Sequence, residues 1–197
     1  MLRRDLLSLG MLLTAGGLVS TLPGVAEAKA KVRPGLLARG VKGTWRGKGN
    51  AHGSLTADVL VQRLTVDRGS RTLGVHGRIA SSGGDGLAAF VSQPFDATAE
   101  LTGGGSGGAS CGVLTVDVGT IRLSIRGGLA IDPAPIKVNT SALKGRGREL
   151  GGQLCTLAGL LNGKGSLEGL EDLLARINDI LSKGLITVPS PGAVGRG

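Results

Sequence analysis

The stretch VLTVDVGTIRL at residues 113–123 alternates apolar and polar side chains on both sides of a Gly-Thr pair. Successive side chains of a β-strand point to opposite faces, so this period of two predicts strands rather than a helix. We expect one strand over Val113–Val118 and a second over Ile121–Ile125, joined near Gly119. Because only one face of each strand is apolar, the pattern is typical of an antiparallel sheet or an open barrel with one buried and one hydrated face.

The same alternation extends from about residue 43 to residue 140. Between Leu55 and Val66 the apolar residues change phase by one near Gln62, which predicts a β-bulge. After about residue 145 the leucines recur every three or four residues, and we expect two amphipathic helices, the second with Ser166 as its N-cap. The sequence therefore predicts an α+β domain: an antiparallel β-rich sheet or open barrel of about six to eight strands, followed by two C-terminal amphipathic helices.

The core of this domain has to be built almost entirely from aliphatic side chains. Of 197 residues 37 are glycine, and the aromatic residues are Trp45, Phe90 and Phe95. Glycine loses much backbone freedom on folding and aliphatic side chains bury less area than aromatic ones, so such a domain needs a covalent staple. We expect a disulfide between Cys111 and Cys155, the two cysteines of the chain. The alternative is a reactive thiol or a redox pair, which the absence of C-x-x-C spacing disfavours.

The N-terminal residues have the three parts of a secretory signal peptide. A short cationic start at residues 1–5 precedes an apolar stretch at 6–19 and the A-x-A cleavage pattern AEA at 26–28. We expect cleavage between Ala28 and Lys29 and export to the periplasm or the extracellular medium. The apolar stretch is too short for a comfortable membrane span, so no transmembrane span is expected after processing. The paired arginines resemble a twin-arginine export signal, and an ordinary secretory signal is the alternative.

Two segments around the cysteines resemble a family of uncharacterised exported bacterial proteins. CGVLTVDVGTIRL at residues 111–123 and LGGQLCTLAGLL at residues 150–161 are similar to the paired-cysteine, leucine-alternating C-terminal half of that family. The chain departs from the family pattern at Thr120, where proline is usual. The resemblance implies an exported domain with paired cysteines, and it implies no established activity.

The formal charge of the chain is +9, and the excess of basic residues is concentrated near the N-terminus. Seven basic residues follow one another without an acidic residue between them, and they are the candidate anion-binding residues: Lys29, Lys31, Arg33, Arg39, Lys42, Arg46 and Lys48. Such a run attracts polyanions, so we expect anionic envelope polymers or lipid headgroups as partners. A solvated arm that keeps the protein soluble is the alternative interpretation.

The predicted organisation of the chain has four parts. A signal peptide occupies residues 1–28 and a basic flexible arm residues 29–42. A single disulfide-closed β-rich domain with its C-terminal helices occupies residues 43–186, and a flexible Pro/Gly/Ser tail follows at 187–197.

Two glycine patterns and two histidines resemble functional motifs but lack the context that the chemistry requires. G-x-S-x-G at residues 108–112 centres on Ser110, but a strand rather than a helix follows it. G-x-G-x-x-G at residues 103–108 precedes no helix that would bind a pyrophosphate. His52 and His76 have no further cluster of metal ligands. We therefore expect no catalytic residue, no cofactor and no metal.

The sequence favours an exported non-enzymatic envelope or extracellular protein that binds an apolar or an anionic ligand. Amphipathic helices over an aliphatic sheet can enclose an apolar pocket, and the basic run supplies the anion-binding alternative. A structural or assembly protein of the cell envelope and a hydrolase with an unrecognised site are the other hypotheses. The scarcity of aromatic side chains disfavours specific nucleic-acid binding, which commonly relies on stacking.

Overall fold

The structure, a computed structural model, describes residues 33–103, 111–163 and 168–188. Several of the sequence predictions lie outside the described residues. These are the signal peptide at 1–28 with its cleavage site between Ala28 and Lys29, the candidate anion-binding residue Lys31, Ser110 in the glycine loop, the N-cap Ser166 and the tail from residue 189 onward.

The described residues form nine β-strands and two α-helices. In chain order they are β1 (Gly35–Arg46), β2 (His52–Asp67), β3 (Thr72–Gly84), β4 (Phe90–Gly103), β5 (Val113–Val118), β6 (Ile121–Leu123), β7 (Leu129–Pro133), β8 (Ile136–Asn139), α1 (Arg146–Asn162), α2 (Leu170–Ser182) and β9 (Leu185–Val188). The sheet order is β6-β7-β1-β2-β3-β4-β5-β8, and β9 adds to β1. All pairings are antiparallel except that of β1 with β9. The predicted α+β class, with a β-rich sheet and two C-terminal helices, is confirmed.

The sheet curls into a half-barrel because β5–β6 and β7–β8 form a bent hairpin between its two sides. β5 pairs with β4, whereas β7 pairs with β1. At the bend between β5 and β6 the Gly119 N–H donates a hydrogen bond to the Thr98 carbonyl oxygen at 2.8 Å, and β6 packs against β4. One short hairpin therefore connects strands that lie on opposite sides of the sheet.

Two bulges set which side chains face the interior. The register of β2 against β3 shifts between Val61 and Arg63, which confirms the bulge predicted near Gln62. A second shift lies in β1 between Ala38 and Val41, where Gly40 has a φ of 62° and its N–H donates to Asp58 Oδ1 at 2.9 Å. This left-handed conformation favours glycine, and the extra residue keeps Trp45 facing inward.

The two helices cover the end of the half-barrel where β2 turns into β3. Leu150 and Leu154 of α1 and Leu181 of α2 are buried against the aliphatic inner face of the sheet. The cavity between the helices and the sheet measures about 20 Å³, which is roughly the space of one water molecule. This cavity, which described residues line, is therefore too small for a ligand larger than water.

A disulfide joins Cys111, just before β5, to Cys155 of α1, with a Cα–Cα distance of 5.7 Å. The predicted pairing is confirmed, and both cysteines are buried. Thr140 supports this junction, since its hydroxyl donates a hydrogen bond to the Cys111 carbonyl oxygen. The bond thus ties the helical layer to the sheet.

Asn178 forms a second link between the helices and the sheet. β1 pairs with β2 only as far as Val61, so the N–H and C=O of Leu64 on that side need another partner. The Asn178 amide supplies both: Oδ1 accepts from Leu64 N–H at 2.8 Å, and Nδ2 donates to the Leu64 carbonyl at 2.9 Å. One side chain of α2 thereby replaces a missing strand.

Four predicted boundaries were wrong. The strand predicted over Ile121–Ile125 ends at Leu123, because the chain turns into a short 3-10 helix at Ile125–Gly127. The basic flexible arm at 29–42 is not an arm over residues 35–42, because these residues form the first half of β1, between β2 and β9. Their outward-facing charges and the bulge at Gly40 obscured the alternation. The tail predicted from 187 begins later, since β9 runs to the buried Val188, and α2 begins at Leu170 rather than near Ser166. The folded domain accordingly extends over 35–188 rather than 43–186.

Removal of the disulfide in the Cys111→Ala/Cys155→Ala double variant should lower the free energy of unfolding by about 4 kcal/mol. The bond closes a loop with a sequence separation of 44, and its loss restores that loop's entropy to the unfolded chain. Urea denaturation measures the change. Wild-type protein in reductant is the matched control and should unfold at the same midpoint as the double variant. An unchanged midpoint in reductant contradicts the prediction.

The Asn178→Ala variant should be destabilised by about 2 kcal/mol, because two partly buried backbone groups of Leu64 lose their partners. Arg176, exposed on the same helix, provides the matched control, and Arg176→Ala should change stability by less than about 0.5 kcal/mol. Thermal and urea unfolding of both variants measure the difference. Equal stabilities for the two variants would show that α2 is held by apolar packing alone.

Candidate functional site

Three turns meet at the end of the half-barrel opposite the helices. The β1–β2, β3–β4 and β6–β7 turns each follow a strand that runs in the direction of β1. We call this end the rim and define it as residues 45–53, 84–92 and 122–130. Trp45 Nε1 donates to the Asp85 carbonyl at 3.1 Å, and Asp85 N–H donates to the Ser54 carbonyl at 3.1 Å, so the first two turns are hydrogen-bonded together.

Cationic side chains from two of these three segments converge at the rim. Arg46 of β1 and Arg122 of β6 are both register partners of Ala130 in β7, so they flank this small residue on the outer face of the sheet. Lys48 follows on the β1–β2 turn, and its side chain lies against Gly127. The three cations line an open depression of about 370 Å³, together with Gly47, Leu123, Gly128, Leu129 and Ala130.

One carboxylate, Asp132, partners this cluster. Its Oδ1 accepts from Thr120 Oγ1 at 2.6 Å, and its Oδ2 accepts from Arg46 Nη2 at 2.6 Å. The Thr120 hydrogen bond first, and then the Arg46 hydrogen bond, hold the pKa of Asp132 below its ordinary value, so this group is ionised at neutral pH. Within the described residues no carboxylate pairs with Lys48 or Arg122. The cluster therefore keeps an excess of positive charge.

The structure separates the seven predicted anion-binding residues into groups. Arg46 and Lys48 lie at the rim and are exposed. Lys42 is exposed further along β1, Arg39 is exposed at the bulge, and Arg33 precedes the strand. Lys29 and Lys31 lie outside the described residues.

Sequence reasoning missed Arg122, the third member of the cluster. The alternation of IRL at 121–123 indicates only that the Arg122 side chain faces outward. Arg122 lies two strands from Arg46 because β7, which comes later in the chain, pairs with both β1 and β6. The sequence of β6 does not identify β7 as the strand between β6 and β1.

A second polar arrangement lies on the outer face of β2, β3 and β4. His76 Nδ1 is 2.5 Å from Asp96 Oδ1, and His76 Nε2 is 3.0 Å from Thr65 Oγ1. Gly74 leaves the space that Thr65 occupies, since a Cβ at this position would collide with Thr65 Oγ1. In the tautomer that donates Nδ1–H to Asp96, His76 Nε2 accepts the hydrogen bond from the Thr65 hydroxyl. The three groups then follow the order of a hydroxyl–imidazole–carboxylate triad.

The surroundings of this arrangement favour cross-strand stabilisation over catalysis. The side chains of His76 and Asp96 are 41% and 82% exposed, so water screens the interaction between them. The backbone N–H groups of these strands are committed to the sheet, and a triad needs free N–H donors for a developing oxyanion. Such polar cross-strand contacts add modestly to sheet stability.

The two histidines do not meet. His52 pairs with Arg46 at the rim, whereas His76 pairs with Arg63 near the other end of β2. No group of three or more metal-ligating side chains occurs within residues 33–103, 111–163 and 168–188. Neither helix in these residues is both long and apolar enough to cross a membrane.

Replacement of Asp132 by Asn should lower stability at neutral pH by about 0.5 kcal/mol, and the difference should vanish at low pH. Because the native pKa lies below the unfolded one, the ionised carboxylate stabilises the fold above about pH 4, and this contribution is lost as pH falls through the native pKa. Urea denaturation at neutral pH and near pH 2 tests this. Thr120→Val should cost less stability in the Asp132→Asn background than in the wild type, because the amide oxygen of Asn is a weaker acceptor for the Thr120 hydroxyl than the carboxylate. A pH-independent difference contradicts the assignment.

No family model, no curated protein and no solved structure matches this chain. What the rim can bind is therefore argued from its own residues and their geometry.

Proposed function

We propose that this chain is an exported, non-enzymatic protein that binds an anionic ligand through Arg46, Lys48 and Arg122 at the rim. The observation that carries the proposal is the convergence of these three cations on one open depression, where the described residues provide one salt-bridge partner, Asp132, which pairs with Arg46. Guanidinium and ammonium groups supply donors and charge for phosphate or carboxylate oxygens. An open, glycine-lined depression admits a bulky polyanion or a headgroup.

The small size of the cavity beneath the helices supports the anionic over the apolar alternative. Ligand pockets for small molecules typically enclose about 300–1,000 Å³. The aliphatic cavity beneath the helices measures about 20 Å³, so an apolar ligand would have to displace a helix that the disulfide and Asn178 hold in place. The rim requires no such rearrangement.

Export is supported by the disulfide and by the N-terminal sequence. Disulfides form and persist in oxidising compartments, and the cytosol keeps most thiols reduced. A bond that ties α1 to the sheet therefore fits the signal-peptide pattern at residues 1–28, with its twin-arginine-like pair. In a bacterial envelope, phosphate-rich polymers and lipid headgroups are the anions within reach of such a protein.

Binding to inorganic polyphosphate should weaken about fivefold in each of the Lys48→Ala and Arg122→Ala variants, because each removes one rim cation that forms no salt bridge within the described residues. Titration at several salt concentrations measures the affinity, and wild-type binding should decline as salt screens the charges. Lys137→Ala is the matched control, since this exposed lysine lies on β8, away from the rim.

Two results contradict the proposal. One is wild-type binding that does not respond to salt. The other is an equal loss of affinity in the Lys137→Ala, Lys48→Ala and Arg122→Ala variants, which would mean that net charge rather than the rim determines binding.

A further inference from the structure

An apolar tip projects from the rim beside the cations. The β3–β4 connection and the start of β4 read LAAFV at residues 87–91. Val91 is 80% exposed, the highest exposure of any large apolar side chain among the described residues, and Ala88 and Ala89 are exposed as well. We call residues 87–91 the tip. A contiguous exposed apolar segment of this kind marks a surface that contacts something other than water.

The tip is held in place rather than loosely attached. Gly84 and Leu87 exchange two backbone hydrogen bonds of 3.0 Å each, and Gly86 between them has a φ of 70°. Leu87 and Phe90 pack against the core, which leaves Ala88, Ala89 and Val91 on the outside. Apolar side chains thus remain exposed on a rigid turn, so binding does not have to order them.

Cations lie at the same end of the domain as the tip. Arg78 lies next to it, because its Nε donates to Ser92 Oγ at 2.7 Å and its Nη2 to the Ser92 carbonyl at 2.6 Å. Both acceptors are neutral, so Arg78 is oriented without losing its charge. Lys48 and Arg122 lie on the neighbouring parts of the rim.

The carboxylates described at this end, Asp85 and Asp132, are fewer than its cations. Asp85 Oδ2 accepts from the neutral Ser54 Oγ at 2.5 Å and so keeps its negative charge, whereas Asp132 forms a salt bridge with Arg46. Four cationic side chains, Arg46, Lys48, Arg78 and Arg122, therefore accompany one exposed apolar tip.

We propose that the rim docks on the surface of an anionic lipid bilayer, with the tip inserted at the headgroup level and the cations on lipid phosphates. This inference rests on the proposed function and names its anionic partner. Peripheral binding of this kind combines buried apolar area with attraction to anionic headgroups, and the rim supplies both from one face. A soluble polyanion would satisfy the same cations but would offer Val91 no apolar medium, so the exposed tip favours a membrane over a polymer.

The deciding variants change the tip without changing its charge. Val91→Ser should weaken binding to vesicles of phosphatidylglycerol and phosphatidylcholine about fivefold, because it removes the exposed apolar side chain from the contact. The same variant should bind polyphosphate as the wild type does. Val113→Ser is the matched control: Val113 is also exposed, at 43%, but lies at the start of β5, away from the rim. Every variant is purified with the same N-terminus, confirmed by intact mass, so that the basic N-terminal residues contribute equally to vesicle binding in all of them.

Fluorescence reports insertion directly. The chain has a single tryptophan, Trp45, which is buried. Val91→Trp therefore introduces a second tryptophan whose ring is exposed to water in the free protein, and its emission reports that environment. This emission should shift to shorter wavelength when phosphatidylglycerol-containing vesicles are added, and should not shift with phosphatidylcholine vesicles alone or with polyphosphate. The Val113→Trp control should show no shift with any of the three.

The outcomes separate this inference from the proposed function. Full vesicle binding by Val91→Ser together with an unshifted Val91→Trp emission overturns membrane docking, while weaker polyphosphate binding by Lys48→Ala still supports an anion-binding rim. If Lys48→Ala and Arg122→Ala leave the binding of both probes unchanged, the proposed function itself fails.

Discussion

The bond between Cys111 and Cys155 is the constraint on which the rest of the domain depends. A half-barrel whose core is aliphatic and whose turns are glycine-rich leaves one end open unless a second layer covers it. Helices α1 and α2 form that layer, and the disulfide fixes α1 on the strand that begins the bent hairpin. Asn178 then holds α2 on β2 where β1 no longer pairs with it. Covalent and polar links thus supplement an apolar contact that lacks large aromatic side chains.

The opposite end is closed by turns instead of helices. Trp45 is buried beneath the rim and binds the β3–β4 turn through its ring nitrogen. Gly53 permits this close approach, because a Cβ there would lie 2.5 Å from the Asp85 carbonyl and 2.9 Å from Trp45 Nε1. The closure that seals the core also determines where the tip projects and where the cations lie. Structure and proposed binding surface are therefore consequences of the same packing.

The two ends of the domain differ in chemical character. Among the described residues, the helical end encloses an aliphatic cavity of only about 20 Å³, whereas the rim is open, basic and carries exposed apolar side chains. The hydrogen-bonded turn that carries the tip suits docking on a surface, since little backbone entropy of this turn remains to be lost on binding. The polar contacts of Thr65, His76 and Asp96 lie on the outer face of β2–β4, among side chains that water reaches, and fit a stabilising part of the sheet.

Local periodicity by itself determined the fold class, the bulge at Gln62 and the two helices, because each depends on residues close in sequence. The disulfide was predictable because the chain has only two cysteines to pair. The first half of β1 could not be predicted in this way. Arg39 and Lys42 face outward and the alternation changes phase at Gly40, so the segment has the pattern of a solvated arm. Among the rim cations, Arg46 and Lys48 were predictable as members of a basic run. Only the tertiary structure placed Arg122, Arg78 and the tip beside them, because strand partners are chosen by burial across the whole sheet, and the bent hairpin that connects β4 to β1 leaves no signature in any one strand.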